Sequence, residues 1–115
     1  MSPWQVARLY ALRSVWRVTG LRRAGRALLD ALASSDEDLR AVAGMLLVQS
    51  GKRAEPLIAE AIAHREHLPT VLVIAGDIGA VALEPELHRF TNDPDPDVAR
   101  AARDGLRILA AQRPS

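Results

Sequence analysis

Residues 74–106 read IAGDIGAVALEPELHRFTNDPDPDVARAARDGL, and the breaks inside this stretch decide how the chain is organised. Asp93, Asp95 and Asp97 alternate with Pro94 and Pro96 just ahead of an Ala/Arg-rich run. As a calcium loop they would supply oxygens at the first, third and fifth positions, with Asp104 at the twelfth. The sixth position, however, is Val98, where a sharp turn needs glycine, and the two prolines fix backbone angles inside the loop. A helix start meets neither objection. Asp95 suits the N-cap, Pro96 the first helical position, and Asp97 places negative charge at the positive end of the helix dipole. The acids therefore punctuate a helix.

The same punctuation recurs upstream. Asp36-Glu37-Asp38 precedes LRAVAGMLL, and the pairs Asp36/Asp95, Leu39/Val98, Ala43/Ala102 and Leu47/Leu106 are each 59 residues apart. Half that interval falls near Leu68, with Leu72 four residues later on the same helical face. Gly20, Gly51 and Gly79 lie 31 and 28 residues apart, and the last two are followed by Ala54-Glu55-Pro56-Leu57 and Leu83-Glu84-Pro85-Glu86-Leu87. Helical periodicity predicts helices over residues 3–18, 21–33, 37–50, 54–65, 69–77, 82–91 and 96–112, and no run alternates as a half-buried strand would. The fold class is all-α. A period near 30 with two helices per unit is the pattern of a helical-repeat array.

Composition sets the class of protein. A chain of 115 residues suits one domain with a modest core, and 49% hydrophobic with only 3% aromatic residues means a core of Ala, Leu, Val and Ile. Without cysteine there are no disulfides, thiolate metal sites or Cys nucleophiles, which fits a reducing, cytoplasmic compartment of bacterial type. The apolar runs 42–48 and 71–76 are too short to span a membrane. Net charge is +1 but unevenly spread: the first 30 residues hold six arginines against Asp30, a local excess of +5 that the remainder offsets. Such an Arg-rich start could be a transit peptide, yet residues 21–33 continue the helical pattern of the rest, so the N-terminus is read as part of the fold.

Residues 74–106 resemble the HEAT-like repeats of the short, phycobilisome-lyase type: a Gly-hydrophobic-Gly helix end, an Ala-Leu-x-Pro-x-Leu second helix, Asp-Pro-x-x-Val and an Ala-rich first helix. The similarity extends through residues 36–62, where Asp38-Leu39-Arg40 carries the hydrophobic-Arg pair of such repeats. At the second site Ala99 stands where the family has Arg, with Arg100 one place later, and Leu68-Pro69-Thr70 lacks both the Asp and the Arg. The resemblance implies a short right-handed α-solenoid of about three helix pairs plus a terminal helix, in one domain. Residues 1–35 would be a degenerate or capping unit, 36–66 and 67–92 repeats, and 93–115 the C-terminal helix. Such arrays serve many functions, among them protein binding, nucleic-acid binding and, by the family name alone, lyase subunits acting on tetrapyrrole-bearing proteins.

Motifs for catalysis or cofactors fail one by one. Gly51-Lys52 is followed by Arg53 rather than Ser or Thr, so no phosphate-binding loop is formed. His64-Arg65-Glu66 has the His-x-Glu of zinc deaminases, but the required cysteines are missing. Neither a His-Glu-x-x-His zinc motif nor a Gly-x-Ser-x-Gly elbow occurs. Glu60, His64 and His67 would share a face if their helix continued through His67, but Pro69 stands against that, and a structural zinc site needs a fourth ligand that the sequence does not offer. No enzyme activity, cofactor or metal is expected.

A partner is expected instead, and the resemblance places it on the second helices, which line the concave groove. There Arg22, Arg26 and Asp30 lie opposite Leu28, Leu29 and Leu32. Glu55, Glu60 and His64 oppose Leu57, Ile58 and Ile62, and Glu84 and His88 oppose Leu83, Leu87 and Phe90. At the N-terminus, Trp4, Tyr10 and Trp16 are interleaved with Arg8, Arg13 and Arg17. The arc of Trp4, Ala7, Ala11, Leu12, Val15 and Val18 is expected to cap the first repeat, with a partner anchor or a membrane-surface helix as alternatives. The expected function is a non-catalytic adaptor or scaffold that binds another protein through Arg22, Arg26, Glu60, His64, Glu84 and His88, with Trp4 and Trp16 as anchors. Nucleic-acid binding through Arg13, Arg17, Arg22, Arg23 and Arg26 is the alternative. The two solenoid ends also offer surfaces on which a second copy could stack as a homodimer.

Overall fold

The computed structural model describes residues 3–19 and 22–112, with the side chains of residues 15–24 outside that description. Seven α-helices and no strand occur among the described residues. They are α1 (Pro3–Thr19), α2 (Arg22–Asp30), α3 (Glu37–Gln49), α4 (Glu55–Ala63), α5 (Leu68–Asp77), α6 (Glu84–Phe90) and α7 (Pro96–Gln112). Short 3₁₀ turns at Ala31–Ala33, Gly51–Ala54 and Val81–Leu83 extend α2 and introduce α4 and α6. Each helix falls within a few residues of its sequence expectation. No described helix is long and apolar enough to cross a membrane.

Contacts divide the chain into two units, Met1–Leu57 and Ile58–Ser115, with the division inside α4. In the first unit α1 packs on α2 and α3, and α2 and the Ala31–Ala33 turn pack on α3. Leu28, Leu29 and Leu32 are buried as expected, together with Leu39, Ala43, Leu46 and Leu47, whose spacing marks one face of α3. Each fully buried leucine contributes about 1.5–3 kcal/mol by leaving water. The Asp36 side chain starts α3, its Oδ1 accepting from the N–H groups of Asp38 (3.0 Å) and Leu39 (3.2 Å).

The N-terminal helix departs from expectation. Trp4 is 85% exposed and Ala7 and Ala11 are exposed, whereas Leu9, from a different side of α1, is buried. Of the described part of the expected arc, Leu12 alone is half-buried, beside Leu9 and against Ala27, Ala31 and Leu39, while Trp4, Ala7 and Ala11 stay exposed. Apolar residues occur around most of α1, so two faces competed for burial. Val15 and Val18 lie outside the described side chains.

In the second unit α7 packs along α5 and also against α6. Two glycines set how closely α5 and α7 approach. A Cβ added at Gly76 would overlap the Gly105 carbonyl and lie 2.9 Å from Gly105 Cα. A Cβ added at Gly105 would overlap the Leu72 carbonyl and lie 3.3 Å from Leu87 Cδ2. Backbone meets backbone here. Leu68, Val71, Leu72, Ile74 and Ala75 of α5 are all buried, so this helix is enclosed on most sides. From α7, Val98, Ala101, Ala102 and Leu109 face inward.

Helix ends show how the chain turns. The acidic stretch begins α7: Asp95 Oδ1 accepts from Asp97 N–H (2.9 Å), and its carbonyl accepts from Ala99 N–H (3.0 Å). Pro96 is the first residue of α7 and Asp104 lies inside it, so residues 93–104 form a helix start rather than a calcium loop. After α5 the chain reverses at Gly79, with φ +68°. There Ala80 N–H donates to Ala75 O (3.1 Å) and Gly79 N–H to Gly76 O (3.0 Å), the two bonds of a Schellman end. Gln112 Nε2, at the far end of α7, donates to Gly76 O and Asp77 O (3.1 Å each), adding a side-chain donor to the carbonyls at the end of α5.

Candidate partner-binding groove

The same Schellman geometry ends α4, but with a different residue at its left-handed position. Glu66 N–H donates to Ala61 O (2.8 Å) and Arg65 N–H to Ile62 O (3.1 Å), and Arg65 takes φ +54°. An arginine there carries a steric cost of about 1 kcal/mol that glycine would avoid. What it adds is a guanidinium beside the end of α6. Arg65 Nη2 donates to Asp93 Oδ1 at 3.2 Å, and its Cζ lies 5.5 Å from the Phe90 ring centroid. Asp93 Oδ2 meanwhile accepts from Asp95 N–H (3.0 Å), so one carboxylate joins the end of α4 to the turn before α7.

Beneath these groups runs a groove of about 540 Å³ between the last turns of α4 and the segment ending in α6. Its apolar lining comes from Ala59, Ile62 and Ala63 on one side and Ala82, Leu83 and Phe90 on the other. Its polar lining is Arg65, Glu86 and Arg89. Helical spacing explains the selection: Ala82, Glu86 and Arg89 fall at i, i+4 and i+7, a single stripe, while Leu83, Leu87 and Phe90 turn inward. Arg89 Nη1 donates to Glu86 Oε2 at 2.7 Å, and Arg89 Cζ stands 6.0 Å from the same Phe90 ring. Two cations therefore share one aromatic residue at the rim. The size lies within the roughly 300–1,000 Å³ of typical ligand sites.

The residues singled out from sequence occupy other positions. Glu60 is half-buried on α4, and His64 Nδ1 lies 3.7 Å from Glu66 Oε1. On α6, His88 Nε2 lies 3.8 Å from Glu84 Oε1, one turn apart. None of these four lines the groove. Arg26 Nε pairs with Asp30 Oδ1 at 3.5 Å on α2, while the side chains of Arg22 and Trp16 lie outside the described residues. Trp4 stands on the exposed face of α1. The Glu60, His64, His67 arrangement does not form one helical face, because α4 ends at Ala63 and His67, at φ +50°, belongs to the turn before α5.

Sequence reasoning missed Arg65, Glu86, Arg89 and Phe90 as a group. One signal was available: no glycine occurs between Gly51 and Gly76, so a left-handed end to α4 could only be made by an ordinary residue. Comparison with protein-family models, curated proteins and solved structures gives no match.

Proposed function

We propose that this chain is a HEAT-like helical-repeat module that acts as a non-catalytic adaptor, holding another protein on the surface formed by its second helices. The observation that carries this reading is the groove between α4 and α6, with an apolar floor and an arginine rim. Support for the repeat character comes from the matched hairpins. Gly51 (φ +57°) and Gly79 (φ +68°) each follow a first helix, and each is followed by a 3₁₀ turn and a Glu-Pro helix start. Buried Ala54 and Leu83 precede those starts at equivalent positions. A groove lined by side chains that are already buried, Ile62, Leu83 and Phe90, loses little ordering entropy when it binds, which favours rigid recognition of a partner segment.

Affinity capture from native lysate, with and without nuclease and at two salt concentrations, tests this function. The wild-type chain should retain a defined protein irrespective of nuclease, and Ala82→Trp, which fills the groove with a bulky side chain, should lose it. Retention of nucleic acid alone, released at the higher salt, would overturn the adaptor reading and direct attention to the N-terminal arginines. A protein retained equally by Ala82→Trp would move the site off the groove.

A further inference from the structure

We infer that the groove between α4 and α6 selects a protein segment that presents a carboxylate beside an apolar anchor, an acidic-hydrophobic peptide; this rests on the groove reading above. The first support is charge. Of the groups at the rim, Arg65 and Arg89 are 57% and 70% exposed at their side chains, whereas the Asp93 carboxylate paired with Arg65 is only 8% exposed. Asp93 is thus withdrawn from an incoming partner while the guanidinium it holds is not. Glu86 is the one acid lining the groove, so an incoming group meets two exposed guanidinium groups beside one exposed carboxylate, while Asp93 balances Arg65 from a covered position.

Hydrogen-bonding capacity points the same way. A guanidinium carries five N–H donors and accepts nothing. Arg65 donates from Nη2 to Asp93 and Arg89 from Nη1 to Glu86, which leaves most donors of both for an acceptor brought by a partner. Both groups are also steadied over Phe90, so little side-chain freedom is lost when they engage a carboxylate, the planar two-oxygen acceptor that matches their fork. The floor supplies the other half of the specificity. Ala59, Ala63 and Ala82 are small, so they leave depth for an apolar side chain that would rest on Ile62 and Leu83. The left-handed Arg65 acquires a purpose in this arrangement: glycine would turn the chain at lower cost but could not present a cation at the mouth.

A phage-displayed library of random 12-residue peptides, panned on the intact chain and followed by titration calorimetry of synthetic hits, tests the inference. Enriched peptides should carry Asp or Glu within a few positions of Leu, Ile, Phe or Trp. Arg89→Gln should weaken them about tenfold, the size expected for one lost charge-assisted hydrogen bond. Glu86→Gln should tighten them several-fold, a gain that structural damage would not produce. Arg89 and Glu86 are surface residues, and unchanged thermal melting of both variants would show that the fold is kept. Hits that lack acids but are blocked by Ala82→Trp would overturn the carboxylate inference and leave the groove reading standing. Hits indifferent to Ala82→Trp, or no enrichment at all, would overturn both.

Discussion

Replacing Gly76 by alanine tests the packing on which the second unit depends. Ordinarily Gly→Ala inside a helix stabilises by about 1 kcal/mol, because alanine has less backbone freedom to lose. Here the new Cβ would overlap the Gly105 carbonyl and come within 2.9 Å of Gly105 Cα, where ordinary contact begins at 3.4 Å. Neither atom is a side-chain end that can swing away, so α5 and α7 must separate by roughly an ångström, enough to forfeit a quarter to a half of the dispersion energy along their seam. Overpacking of this kind costs about 3 kcal/mol at its upper range. Subtracting the helix gain leaves a net loss of about 2 kcal/mol, or roughly 8 °C in Tm for a chain of this length. Gly44→Ala provides the control, since its Cβ would meet only Leu32 Cδ2 at 3.9 Å, and should raise stability by about 0.5–1 kcal/mol. Thermal melting followed by circular dichroism measures both, and the double variant Gly76→Ala/Gly105→Ala should lose less than the sum because one separation relieves both overlaps. A Gly76→Ala chain as stable as Gly44→Ala would refute a backbone-to-backbone crossing.

Three further outcomes follow from the geometry. Trp4→Ala should change the unfolding free energy by no more than about 0.5 kcal/mol in urea titration, since the side chain is 85% exposed; a loss above about 2 kcal/mol would show that Trp4 covers the core after all. Arg65→Gly should be about 1 kcal/mol more stable than Arg65→Ala, because both lose the link to Asp93 but only glycine relieves the left-handed backbone, and equal stabilities would contradict the φ of +54°. Burial raises the Asp77 carboxyl above its ordinary 3.8, so its ionisation opposes folding. The stability Asp77 contributes is full below its unfolded value and is lost as pH rises through the folded one. Asp77→Asn should accordingly stabilise the chain at neutral pH, with the advantage vanishing below about pH 4, and a variant less stable than wild type at pH 7 would reverse that sign.

Much of the fold is legible in the sequence because local signals agree with one another. Asp36 and Asp95 cap helices that begin where their spacing says, and Gly51 and Gly79 both adopt the positive φ that their turns require. Leu28, Leu29, Ile58, Ile62, Leu83 and Leu87 turn inward as helical periodicity dictates. The groove was harder to see. Periodicity separates inward from outward positions but does not say which outward stripe faces a neighbouring helix, so Glu84 and His88 looked as eligible as Glu86 and Arg89. Arg65 escaped notice because its role depends on a backbone angle that arginine rarely takes, and on Asp93, 28 residues away. In α1 the apolar residues are spread so widely around the helix that Trp4 and Leu9 were both reasonable candidates for burial. In the structure Leu9 is buried and Trp4 is not.

The most direct test of partner binding in the groove is amide-resolved NMR of the ¹⁵N-labelled chain, titrated with the tightest peptide from the display selection. Shift changes should concentrate at residues 59–65 and 82–90 and disappear in Ala82→Trp. Changes concentrated instead on residues 3–14, around the exposed Trp4, would contradict the account and place the binding surface on α1.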